Sequence, residues 1–79
     1  RGTMKLNELK PGQSAMVIRI SLSSALKKRL EPLELRIGAE IEMIRMAPLG
    51  DPAEYRCGGS LIVLRRADAR QIEVAVRKR

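Results

Sequence analysis

The 79-residue chain has no histidine, phenylalanine or tryptophan, one tyrosine and one cysteine. Each shortage excludes a class of function. Without histidine the usual acid–base group of neutral pH is missing, and so is the commonest transition-metal ligand. Cys57 has no histidine to activate it as a nucleophile and no second cysteine for an internal disulfide. With one aromatic residue, neither a base-stacking platform nor an aromatic groove for proline-rich peptides can be built. No apolar run reaches the roughly 18 residues of a membrane-spanning helix. The first long element, residues 14–20, is interrupted by Arg19, which is unlike a signal peptide. Small secreted domains commonly lean on disulfides, so the composition points to a reducing, cytoplasmic setting.

Catalytic constellations are missing as well. Asp51 and Asp68 fall in turn segments, where Asp bonds nearby backbone N–H groups, and no acid–base pair stands out. Gly58-Gly59 lacks the Gly-Lys-Ser/Thr that makes a phosphate loop. Glu40 and Glu42 share a strand face but read as a solvated pair, and the four Met residues are spaced for packing, Met16 and Met43 on core faces. Thioethers prefer softer metals than iron. The expectation is no enzyme, no cofactor and no metal site.

What is present is an aliphatic core: ten Leu, seven Ile, four Val and four Met in a chain that is 44% apolar. That is enough to fold as one small domain. The formal charge is +7, of which Arg1 supplies one and Arg77-Lys78-Arg79 three, leaving +3 on residues 2–76. The interior basic clusters, Lys27-Lys28-Arg29 and Arg65-Arg66 with Arg70, form no dense stripe, so specific nucleic-acid binding is not expected. Residues 1–3 precede Met4 and read as an expression remnant, residues 4–76 as the domain, and residues 77–79 as a basic tail.

Along the chain, Leu6 and Leu9 lie on one side of a short turn that ends at Pro11-Gly12. Ser14–Ile20 alternates as a strand, with Met16, Ile18 and Ile20 on one face and Ala15, Val17 and Arg19 on the other. Leu22, Leu26, Leu30 and Leu33 recur at helical spacing, which predicts a helix over about 22–31. Ser21 or Ser23 caps it, and Pro32 ends it. In Ala39–Met46, Ile41 and Met43 share one face while Ile44 and Met46 share the other, a phase break that predicts a bulge. Residues 47–52 form a Pro- and Gly-containing loop. Ala53–Cys57 and Ser60–Arg65 read as a hairpin turned at Gly58-Gly59, with Tyr55 and Cys57 on one face. A helical turn at about 67–71 precedes the alternating strand Ile72–Val76. About five strands, one helix and a late turn predict a mostly β fold, a small SH3-like or OB-like barrel. The late turn favours the SH3-like form, and Ile72–Val76 is a candidate edge for pairing with a second copy.

These segments, taken in order, resemble the ferrous iron transport protein A (FeoA) family. Ala47-Pro48-Leu49-Gly50-Asp51-Pro52 resembles its central loop. Leu64-Arg65-Arg66 with Ala69, Ile72 and Val74 resembles its last hairpin and closing strand, and Leu6–Gly12 and Leu26–Leu35 its opening segment and helix. The match spans nearly all of residues 4–76. The family commonly has Gly at the position of Glu34 and Pro at that of Ile37, so a different helix exit is expected here. The resemblance implies an SH3-like barrel. It also implies a cytoplasmic accessory role beside the membrane ferrous iron transporter, whose GTP-binding domain is the implied partner.

Two surfaces are candidates for docking. In the loop, Pro48, Leu49, Gly50, Asp51 and Pro52 restrict the backbone, which lowers the entropy lost on binding. Leu49 is either an exposed apolar anchor or tucked into the barrel. On the helix, the Leu stripe plugs the barrel while Lys27, Lys28 and Arg29 face outward, toward an acidic partner or an anionic membrane surface at roughly 1 kcal/mol per basic residue. Two other readings stand beside this one. The chain could be an SH3-like accessory domain of a metal-dependent transcription regulator, or a small nucleic-acid-binding barrel suggested by the pI near 10.5.

Overall fold

The computed structural model describes residues 2–76; Arg1 and the basic tail 77–79 lie outside the described residues. Six strands form one antiparallel sheet: β1 (Thr3–Lys5), β2 (Ser14–Ile20), β3 (Glu40–Met46), β4 (Ala53–Cys57), β5 (Ser60–Leu64) and β6 (Ile72–Val76). The helix α1 (Ser24–Leu30) and the single turn α2 (Arg66–Ala69) complete it, with short 3-10 turns at Leu6–Glu8 and Glu31–Leu33. The strand order is β1-β6-β2-β3-β4-β5, curled as an SH3-like barrel.

Several expectations need correction. The described residues form six strands, because Thr3–Lys5 pairs with Ala75, Val74 and Glu73, and Val76 N–H donates to the Gly2 carbonyl at 2.7 Å. Gly2 and Thr3, set outside the domain on sequence, therefore take part in the fold. A three-residue strand carries no alternation of its own, and its partner lies at the far end of the chain. β6 is not an edge: it is held between β1 and β2, and the free edges are β1 and β5.

The buried face of β2 is the opposite of the one expected. Ala15 and Val17 are buried, whereas Met16 is 44% exposed. Ala15 pairs with buried Ile41 and partly buried Val76, and Val17 with buried Val74, so these small side chains meet the core across the ladder. The two faces of β2 are both apolar, and cross-strand pairing decides between them. A register shift between Val17 and Arg19 then returns Ile20 to partial burial against the core.

The phase break in β3 does mark a bulge. Register shifts between Met43 and Arg45, Ile41 and Met43 are buried, and Met46 is exposed. In α1, Ser23 is the cap, its Oγ accepting from Leu26 N–H at 3.3 Å. The helix begins at Ser24 and ends at Leu30. Leu22 and Leu30 are buried, but Leu33 rides the following 3-10 turn to the surface. α2 starts one residue earlier and stops two residues sooner than the spacing indicated. Leu6, Leu9, Leu35, Ala53, Tyr55, Cys57, Ile62, Leu64, Ala69, Ile72 and Val74 complete the core. No helix of the described residues is long and apolar enough to cross a membrane.

The helix exit was expected to differ from a left-handed cap, and it does not. Glu34 adopts that conformation itself, at φ 70 and ψ 19. Its N–H donates to the Glu31 carbonyl at 2.9 Å, and its own carbonyl accepts from the Cys57 thiol at 3.1 Å. Local backbone geometry is retained with a residue that tolerates it less well than Gly.

Candidate docking surface

The loop between β3 and β4 is held at three points. Ala47 N–H donates to the Pro52 carbonyl at 2.9 Å, and Gly50 N–H donates to the Ala47 carbonyl at 2.7 Å, closing a turn inside a wider one. The third point is α2. Asp51 Oδ1 accepts from Arg66 N–H at 2.9 Å, and the Arg66 guanidinium reaches the Gly50 carbonyl at 3.4 Å. Arg65, at the N-cap of α2, makes no side-chain cap bond, so Asp51 satisfies a first-turn N–H in its place. Gly50 sits at φ 89, and a Cβ there would come within 2.8 Å of Arg66 Nη2. The positive φ calls for glycine at that position, while the contact is with the flexible end of the Arg66 side chain, which can shift.

With its backbone fixed in this way, the loop presents Leu49 to solvent at 92% exposure. The tucked alternative is ruled out. Pro48, Asp51 and Pro52 are also exposed, and Gly50 is half-buried. Below the loop a cavity of about 70 Å³ is lined by residues that include Asn7, Met46, Tyr55 and Arg66. Burial, and secondarily the Asp51 carboxylate, raises the pKa of the Tyr55 phenol, so it stays neutral.

Lys27, Lys28 and Arg29 are exposed in the last turn of α1, where positive charge suits the helix dipole. Lys27 lines a different cleft, of about 220 Å³, with Ile20, Glu31, Leu35, Arg36 and Ile37. Ile37 is 66% exposed beside it, an apolar surface residue that periodicity alone did not single out. The role of Arg66 in holding the loop was likewise missed, although an Asp in the loop and a short helical turn later in the chain were both legible.

Cys57 is buried and free. Burial raises its thiol pKa, the Glu34 carboxylate adds to the effect, and Arg36 opposes it. A protonated, enclosed thiol is a poor nucleophile and a poor metal ligand. Among the described residues no group of three or more His, Cys, Asp or Glu side chains is placed to hold a metal ion.

The FeoA domain family matches residues 4–76. A curated relative, the Fe(2+) transport protein A/Fe(2+) transporter FeoB fusion protein of Porphyromonas gingivalis, is 37% identical over 71 residues. That match covers 90% of this chain but only 8% of the fusion protein's length. Among solved structures, the FeoA protein of Chlorobium tepidum superposes with a TM-score of 0.88 at 44% identity, covering 92% of this chain and 70% of that one. FeoA of Stenotrophomonas maltophilia, an SH3 domain protein solved with zinc, gives a TM-score of 0.74 at 31% identity over 90% and 88% of the two chains. With the family matched over residues 4–76 and close structural relatives superposing on the same barrel, the chain belongs to the FeoA domain family.

Proposed function

We propose that this chain is a cytoplasmic accessory module of ferrous iron uptake. It works by docking on a membrane iron transporter and its GTP-binding domain through the 47–52 loop. The observation that carries the reading is Leu49, a large aliphatic side chain 92% exposed at the tip of a loop held by hydrogen bonds on both sides. An exposed apolar anchor on a preorganised backbone loses little entropy on binding, and burying one Leu is worth about 1.5–3 kcal/mol. The fusion of an FeoA part to an FeoB transporter in the P. gingivalis protein supports association with such a transporter.

Lys27, Lys28 and Arg29 form a second, separate contact that meets acidic groups and gives way to salt. The chain acts without binding iron specifically, because it has no histidine, its one thiol is enclosed, and among the described residues no carboxylates converge with other donors. The regulator reading rests on the fold alone.

Titration calorimetry of the chain against the transporter's isolated GTP-binding domain, at low and at high salt, tests the partner. Saturable binding that survives high salt is expected, and no heat at either salt would overturn the reading. An anaerobic ferrous iron titration tests the second claim. It should give no saturable one-site isotherm, and micromolar one-site binding would overturn it.

A further inference from the structure

The sheet order leaves β5 as a free edge. Cys57 and Ser60 flank a two-residue turn and form a hydrogen-bonded pair. By alternation, Ser60, Ile62 and Leu64 direct their backbone groups to β4, while Leu61 and Val63 direct theirs to the open side. No turn, loop or cap bond engages Leu61 or Val63 among the described residues. The same alternation puts both side chains on the outer face, Leu61 53% and Val63 59% exposed.

On that face each cross-strand row runs from an ion pair to an apolar end. Glu42–Arg56, at 3.4 Å, leads to Leu61, and Arg45–Glu54, at 2.9 Å, leads to Val63. Free edges are normally blunted by charge, proline or a bulge. β5 has none of these, and the bulges lie in β2 and β3.

We propose that β5 is the contact through which two copies of this chain pair, antiparallel about a two-fold axis at Ile62. In that register Leu61 of each copy lies opposite Val63 of the other. Each such pair exchanges both N–H···O bonds, because these are the residues whose backbone groups point outward. The exposed aliphatic side chains of the two copies then close into one cluster, as a self-complementary interface requires.

Charge complementarity selects a second copy over an unrelated strand. The same register sets Arg65 opposite Gly59 of the second copy, beside Gly58, against which the Glu34 side chain lies. Neither Arg65 nor Glu34 has an ion-pair partner among the described residues. The pairing therefore joins two otherwise unused opposite charges on each side of the axis. A five-residue strand buries less than the roughly 1,000 Å² of a standing interface, so the dimer is weak and concentration-dependent. The proposal is independent of the docking role assigned to the loop.

Sedimentation velocity from micromolar to millimolar protein tests it. The weight-average sedimentation coefficient should rise with concentration for the unaltered chain. It should stay at the monomer value for Val63→Lys, whose exposed site leaves folding intact, checked by an unchanged melting temperature. Arg65→Glu should weaken association, and adding Glu34→Arg should restore it, a rescue that a mere folding defect would not give. A chain that stays monomeric at millimolar concentration would overturn the proposal, as would association that Val63→Lys leaves untouched.

Discussion

Glu34 holds a backbone conformation that costs a non-glycine residue roughly 1–2 kcal/mol. Glu34→Gly should therefore raise stability by about 1 kcal/mol, read as a higher urea midpoint at unchanged slope. The position repays its strain structurally, since its carbonyl accepts a hydrogen bond from the Cys57 thiol and ties the helix exit to β4. Cys57 itself gives a pH prediction. Its pKa is raised in the folded chain, so the native state holds the proton more tightly than the unfolded state. That contribution is full below the ordinary thiol value of about 8.5 and is lost as pH rises from there toward the folded value. Stability should fall across that window, and Cys57→Ala should flatten the fall. Urea midpoints at a series of pH values read the difference. The raised value of Tyr55 acts in the same direction, in the higher window that begins near pH 10.

At the scale of elements, the loop and α2 behave as one unit through Asp51 and Arg66. Asp51→Ala removes a helix-capping acceptor and should cost about 1 kcal/mol of stability, measured by chemical denaturation. The strands show what a sequence pattern can and cannot specify. β4 was legible end to end because buried positions alternate with less buried ones throughout, and β6 because Ile72 and Val74 are buried on one face with Glu73 between them. The bulge in β3 was legible because a change of phase has few other causes. β2 was misread because both of its faces are apolar, and only its pairing with β6 and β3 makes Ala15 and Val17 the inner set. The two faces predict a contrast. Met43→Ala should cost 2–5 kcal/mol, whereas Met16→Ala should change stability by less than about 0.5 kcal/mol. Equal effects in thermal melts would contradict the assigned burial.

For the molecule as a whole, a curled six-stranded sheet gathers the aliphatic residues inside and leaves function to what stays outside. The 47–52 loop was legible as a restricted segment. Its exposure was not, because Leu49 faces solvent only through tertiary bonds to α2 that local sequence does not announce. The second surface, on α1, was legible from its Leu stripe. Lys27 lines a cleft distinct from the one beneath the loop, which local sequence does not announce. The two surfaces should also respond differently to salt, since charge at exposed sites is screened and apolar burial is not.

The most direct measurement compares the unaltered chain with Leu49→Asp for binding to the transporter's GTP-binding domain at low and high salt. The account predicts salt-tolerant binding that falls by at least tenfold in Leu49→Asp, with both proteins melting at the same temperature. Equal affinity of the two proteins would contradict it and remove the loop from the interface.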